Sequence, residues 1–294
     1  QEPLLLVVEA PSAKETITVL RDGDAQEEDF ETYLTQVVLS EMPADFATEA
    51  LKAQAVAART FARRQMAGGK HANADICGQS ACCQACLSAD ALQERYGAAF
   101  DAAWDKASNA VRQTQDEVLT YGGALIDAVY FSCSGGRTEA AVAVWGGEIP
   151  YLQSVPSPGE EDAPRETETL TFTAEEFRDR ITPARPDADL SGTPETWFGT
   201  VRYTAGGGIG TLELGGASFT GTELRRLLGL RSTDIEFSPQ EDGVTVTTHG
   251  FGHRVGLSQY GAEAMAQAGR RFDEILLHYY QGTEIRRLTL DGEK

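Results

Sequence analysis

The stretch from Phe30 to Phe46 constrains this chain more than any other. Phe30, Tyr33, Leu34, Val37 and Val38 recur at i, i+3, i+4, i+7 and i+8, the apolar stripe of a packed helix. Glu41 is the next member of that series, and Met42-Pro43 follows it directly. Proline has no amide N–H and restricts the residue before it, so the helix must stop or turn there. A carboxylate is therefore expected at the end of the buried face, among Met42, Pro43 and Phe46. Apolar surroundings disfavour its charged form and raise its pKa, as a general acid working near neutral pH requires. The plainer alternative is a half-exposed glutamate ending a helix in solvent.

A second helix is expected from about residue 48 to 66. Its many alanines (47, 50, 53, 55, 57, 58, 62) allow close packing, and Lys52, Arg59 and Arg63 fall at i, i+7 and i+11 on one face. These cations either hold substrate and orient a carboxylate, or form a solvated basic stripe. Upstream, Pro3 to Val8 and Ile17 to Leu20 read as short strands. The acidic run from Asp22 to Glu31 reads as a solvated loop whose charge favours the helix start that follows.

Function classes are narrowed by charge. Against 45 Asp and Glu stand 25 Lys and Arg, a formal net charge of −20; nucleic-acid binding would need a basic face. An anionic membrane surface is disfavoured for the same reason. With 41% apolar and 24% charged residues in 294, the composition is that of a globular protein with a sizeable core. The longest apolar run near the start, Leu4 to Val8, is too short to span a bilayer. The start at Gln1 is read as the mark of a removed targeting segment.

Four of the five cysteines lie in the short segment His71 to Cys86. His71, Cys77 and Cys83 are each six apart, and Cys83-x-x-Cys86 has a spacing common in zinc sites. Disulfides compete with that reading, but adjacent Cys82 and Cys83 make simple pairing awkward, and His71 would be idle. Zinc is therefore read ahead of disulfides for this segment, with Cys86, Cys82 or water able to complete a tetrahedral site.

Residues 88–112 read as helix with Leu92, Tyr96, Phe100 and Trp104 four apart, a core stripe before a sugar platform. A strand from Ile126 to Ser132 then delivers Ser134-Gly135-Gly136-Arg137, where glycines admit close backbone approach to a ligand and Ser134 could hydrogen-bond its hydroxyl groups. Cys133 is read as a buried passive thiol, since no histidine is adjacent to activate it. The polar, proline-bearing stretch 156–168 is the candidate lobe boundary. Thr173-x-x-Glu176 and Thr220-x-x-Glu223 read as capping boxes, and 206–210 as a hairpin turn. His249 and His253 sit four apart on a glycine loop rather than a helix, which excludes a metalloprotease pair.

The segment Tyr33 to Ala62, Phe131-Ser-Cys-Ser-Gly-Gly-Arg-Thr-Glu, Val144-Trp-Gly with Pro150-Tyr-Leu-Gln-Ser-Val, Leu224-Arg-Arg-Leu-Leu-Gly-Leu, and His249-Gly-Phe-Gly-His-Arg-Val-Gly-Leu-Ser-Gln-Tyr-Gly together resemble the stage II sporulation protein D (SpoIID) family. The matching blocks occur in family order and span residues about 33–285, within a single family-type region expected over 1–294. The resemblance implies a peptidoglycan lytic transglycosylase of spore engulfment with Glu41 catalytic. It also implies cleft positions at Lys52 and Arg59, and makes His253, Gln259 and Tyr260 candidate glycan contacts. Some clostridial members bind zinc through a histidine and two cysteines, and His71, Cys77 and Cys83 match that pattern. Many members lack it, so the metal is expected to be structural. The family usually carries a hydroxyl residue where Cys133 stands. Implied partners are peptidoglycan glycan strands, the sporulation amidase SpoIIP and the membrane protein SpoIIM. The implied location is extracytoplasmic, between mother-cell and forespore membranes, anchored by an N-terminal helix. A non-catalytic glycan-binding or amidase-enhancer module is the alternative.

The expected fold is α+β, helix-rich in the N-terminal half and strand-rich in the C-terminal half. Two lobes are expected, with a substrate groove between them on which Glu41, Ser134 and the His253–Tyr260 loop converge.

Overall fold

The computed structural model describes residues 15–288 apart from Asp162 and Arg165; the strand expected over Pro3 to Val8 lies outside the described residues. The chain is an α+β protein that divides into two compact units, one up to Asp127 together with Ile285 onward, the other Ala128–Glu284. The division does not fall in the stretch 156–168. That stretch lies inside the second unit because Ser157 and Glu160 are buried there and bonded to Tyr279 and Ser134.

In the first unit, β1 (Thr16–Arg21) and β2 (Asp24–Asp29) form an antiparallel hairpin. The acidic run expected as a loop is thus largely strand. Asp22 and Gly23 turn the chain with φ of +50° and +96°, the left-handed pair that an Asp-Gly hairpin turn requires. Helix α1 (Phe30–Glu41) starts on Asp29, whose carboxylate accepts the Thr32 amide at 2.9 Å. It ends as expected, Met42 being extended at φ −118° and ψ 147°. Helix α2 (Thr48–Gly68) buries Ala50, Ala53, Ala55, Ala57, Ala58 and Ala62 completely, so backbone rather than long side chains meets its neighbours. Then come β3 (Ile76–Cys77), parallel to β1, α3 (Ala89–Tyr96) and α4 (Phe100–Gln113). The single helix expected over 88–112 is broken because Gly97 takes φ +53°. Leu92 is fully buried, whereas Tyr96, Phe100 and Trp104 are only half-buried. Strands β4 (Glu117–Tyr121) and β5 (Ala124–Leu125) complete this stretch.

The second unit opens with β6 (Tyr130–Phe131) and α5 (Ala141–Trp145). Next are β7 (Thr167–Thr173), α6 (Ala174–Ile181), β8 (Phe198–Tyr203), β9 (Ile209–Leu214), β10 (Ala217–Thr220) and α7 (Gly221–Leu228). Strands β11 (Asp234–Gln240), β12 (Gly243–His249) and β13 (Leu257–Ser258) lead to α8 (Gln259–Gln267) and α9 (Phe272–Tyr279). Two antiparallel sheets, β10-β9-β8 and β11-β12-β7, enclose a core built around Phe177, Trp197, Phe219 and Leu224. Thr173 forms the full capping box with Glu176. At Thr220 only the hydroxyl half forms, the Glu223 carboxylate being held by Arg185 at 3.3 Å. In the first unit, to which the chain returns at Ile285, β14 (Glu284–Arg287) gives the order β14-β4-β5.

Candidate active site and metal centre

Glu41 stands at the end of α1, half-buried, and its Oε1 accepts the Ala85 amide N–H at 2.7 Å. The loop that carries Ala85 is sewn to the same helix by three further bonds. Gln84 Nε2 donates to the Tyr33 hydroxyl at 2.5 Å, and the Leu87 amide donates to Ser40 Oγ at 2.9 Å. Cys86 Sγ lies 3.5 Å from Gln36 Oε1. Tyr33 and Glu41 belong to the apolar stripe of α1, while Gln36 and Ser40 flank it, and together they shape this loop.

In the same loop the ligand atoms of His71, Cys77, Cys82 and Cys83 all lie within 4.8 Å of one another. His71 Nε2 is 3.3 Å from Cys83 Sγ and 3.9 Å from Cys82 Sγ, and the Cys82 and Cys83 sulfurs are 3.9 Å apart. Tetrahedral zinc, with Zn–S near 2.3 Å and Zn–N near 2.0 Å, sets S···S edges of about 3.8 Å and S···N edges of about 3.5 Å. These donors fit such an ion. Cys86 stands outside the cluster: Arg21 Nη2 donates to its sulfur at 3.0 Å, and burial pushes its thiol up to about 12. None of the five cysteines is disulfide-bonded.

The two cations expected in a cleft have other partners. Lys52 Nζ is paired with Glu49 at 2.6 Å. Arg59 is fully buried; its guanidinium donates to the carbonyls of Thr114 (2.7 Å) and Val111 (3.0 Å) and lies 3.5 Å from Glu31. It adds a second donor to each of these carbonyls where α4 ends, beside the Thr114 and Glu117 amides, and burial lowers its pKa against the pull of Glu31. It is neither a solvated stripe nor an open cation.

The remaining expected site residues lie in the second unit. Ser134 is fully buried, donating through Oγ to Glu160 Oε1 at 2.9 Å and accepting the Gly136 amide at 3.0 Å. A sugar hydroxyl has no access to it. Glu160 is itself buried, and that burial raises its carboxyl pKa against hydrogen bonds from Ser157, Ser134 and Ser258. His253 accepts the Val255 amide on Nδ1 at 3.1 Å and also bonds the Tyr130 backbone. Burial, helped by Arg225, lowers its pKa to about 4, so the ring is neutral near pH 7. Gln259 is buried at the start of α8, and the half-buried Tyr260 donates its amide to Ser132 O at 3.0 Å. Cys133 is buried, with its thiol pushed up to about 11 by that burial, which makes it the passive thiol expected.

Sequence reasoning missed Arg254. At φ +63° and fully packed, it donates to the carbonyls of Ser134 (2.7 Å), Arg137 (3.0 Å) and Gly206 (2.8 Å) and pairs with Asp234 at 3.0 Å. The signal was available: a charged residue inside a glycine-rich run is expensive to place unless it bonds the surrounding backbone.

The family model described as SpoIID, stage II sporulation protein, matches residues 23–121. Stage II sporulation protein D of Bacillus subtilis is 41% identical over 258 residues, covering 87% of this chain and 74% of that protein. Its counterpart in Bacillus amyloliquefaciens is 40% identical over 258 residues, covering 87% and 73%. The amidase enhancer of Bacillus subtilis is 29% identical over 303 residues, covering 86% of this chain and 40% of the enhancer. With α1, its terminal Glu41 and the α2 helix all inside the matched region, this chain belongs to the stage II sporulation protein D family.

Proposed function

We propose that the chain is a peptidoglycan lytic transglycosylase with Glu41 as its acid and base. The observation that carries this reading is the carboxylate at the packed end of α1, oriented by the Ala85 amide. Hydrolytic glycosidases use two carboxylates; a single one suffices where the nucleophile is already in the substrate. Protonated Glu41 gives its proton to the oxygen joining MurNAc C1 to GlcNAc, and the C1–O bond breaks. The carboxylate then takes the C6 hydroxyl proton of the same MurNAc as O6 closes on C1. Glu41 ends protonated again, the product is a 1,6-anhydro sugar, and no water is consumed. Attack from within one sugar gains the effective molarity of an intramolecular step. Mass analysis of digested glycan strands tests this: 1,6-anhydro-MurNAc ends are expected, and ordinary reducing ends would overturn it.

For the metal, the reading is one zinc ion on His71, Cys77 and Cys83, with Cys82 as fourth ligand. Four protein ligands make a closed, structural site; zinc would supply loop rigidity there, not a reacting water. The role is sporulation-related, at the cell wall outside the cytoplasm and between mother-cell and forespore membranes. The sporulation amidase SpoIIP and membrane protein SpoIIM are its partners in this reading.

The similarity to an amidase enhancer favours a second reading, a non-catalytic module that presents glycan to an amidase. Glycan binding without new anhydro ends, together with stimulated amidase activity, would select it.

A further inference from the structure

Few large apolar side chains are exposed among the described residues, and two of them share one short helix. Val142 (47% exposed) and Trp145 (48%) stand at i and i+3 on α5, so they share a face. The indole is exposed but supported. Its ring centroid lies 5.4 Å from that of His253, which lies 5.6 Å from that of the buried Phe131. Three rings therefore run from core to surface. The middle one is fixed, because His253 is tied to the backbone at both Val255 and Tyr130. Helix α5 ends directly after the indole, where Gly146 takes φ +79° and donates to Val142 O at 3.1 Å. At Gly146 and Gly147 nothing lies within 4 Å of where a β-carbon would stand. The approach past the ring is open.

We propose that Trp145 is the stacking platform of a glycan subsite in the second unit, taking the apolar face of an uncharged pyranose of the N-acetylglucosamine type. This rests on the glycan-cleaving reading and adds to it a residue that reading does not use. An indole held by a tilted contact with His253 and 48% exposed offers its uncovered surface to the C–H face of a single sugar ring, whose rim hydroxyls stay in water. A protein partner of ordinary stability covers about 800 Å² per side around an apolar centre; two side chains bordered by glycines and the exposed Glu148 do not supply that. The net charge of −20 repels anionic ligands at long range and leaves a neutral sugar unaffected.

Titration calorimetry with N-acetylchitotriose tests the subsite on the wild type, Trp145→Ala, Trp145→Phe and Glu41→Gln. Loss of one aromatic face should raise Kd about three- to ten-fold in Trp145→Ala. Trp145→Phe should recover part of that, and Glu41→Gln should bind like the wild type. Circular dichroism should be unchanged and melting lowered only slightly, since the half-exposed indole gives up one ring contact, with His253. Wild-type emission should also shift on binding: Trp197 is buried at 2% exposure and Trp104 belongs to the first unit. An unchanged Kd in Trp145→Ala, while the wild type still produces anhydro ends, would overturn the subsite and leave the cleavage reading standing. Trp145-dependent binding without any cleavage would support the subsite and overturn the cleavage reading. No binding by the wild type, or an oligomeric state altered by Trp145→Ala in place of sugar affinity, would overturn the subsite.

Discussion

The Ala85 amide donates to Glu41 Oε1 at 2.7 Å, and Ala85 lies two residues beyond Cys83, a member of the metal-ligand cluster. The loop that gathers the sulfurs and the loop that orients the carboxylate are therefore one loop. A hydrogen bond from a backbone amide to a carboxylate fixes its direction more firmly than a flexible side chain could. Anything that holds residues 77–86 in shape also holds Glu41.

Glu41→Gln keeps the shape of the acid but has no transferable proton. Cleavage of purified glycan strands should fall about 10²- to 10⁴-fold in kcat with little change in KM. Thermal melting should match the wild type. Undiminished turnover in the Gln variant would remove Glu41 from the mechanism.

Elemental analysis of protein purified without added metal should find one zinc per chain. Cys77→Ser, Cys82→Ser and Cys83→Ser should each lower that content, whereas Cys86→Ser should retain it, because Cys86 is held by Arg21 outside the cluster. Chelation should lower Tm and slow cleavage together, by loosening the loop that bonds Glu41. Absence of zinc combined with loss of free thiols would favour disulfides.

Arg59→Ala should destabilise the fold by roughly 1–3 kcal/mol, since it removes charge-assisted hydrogen bonds to the carbonyls of Val111 and Thr114, which keep the Thr114 and Glu117 amides as donors, and takes the cation from the half-exposed Glu31 carboxylate. Glycan affinity per folded molecule, measured at low temperature, should not change. A selective loss of affinity at unchanged stability would return Arg59 to the binding surface.

The His253 ring should make stability depend on pH. Its pKa falls from the ordinary 6.5 to about 4 in the fold, so between those values the unfolded chain binds more protons. Its contribution is fully present above about pH 6.5 and is lost as pH falls toward 4, at most about 3 kcal/mol. Among the described residues the charged group acting on it is Arg225; the rings packed on it, Phe131 and Trp145, are uncharged. Urea unfolding at several pH values should show a slope in this window that His253→Phe reduces. An unaltered slope would overturn the neutral imidazole.

Much of the local architecture was legible in the residue order. The period from Phe30 to Val38 placed α1 and its end at Glu41, and Met42-Pro43 supplied the stop. Alanine density marked α2 as a close-packing helix, Thr173 with Glu176 marked the start of α6, and the six-residue spacing marked His71, Cys77 and Cys83. The Asp22-Gly23 hairpin was equally legible but was overshadowed by the acidic composition around it.

What tertiary structure alone decided concerns groups whose partners come from far along the chain. Arg59 shares a helical face with Lys52, and only the arrival of the α4 C-terminus, some fifty residues on, turns it into a buried cap. Ser134 sits in a glycine loop suited to a ligand, yet Glu160 claims its hydroxyl. Cys82 joins the cluster and Cys86 leaves it because Arg21 and Gln36, from β1 and α1, take up the second sulfur. Local order determines which side of an element a residue faces, through 3.6- and 2-residue periods and turn chemistry. It does not determine what covers that side. That depends on long-range packing, and for polar side chains the covering partner decides between a binding group and a structural one.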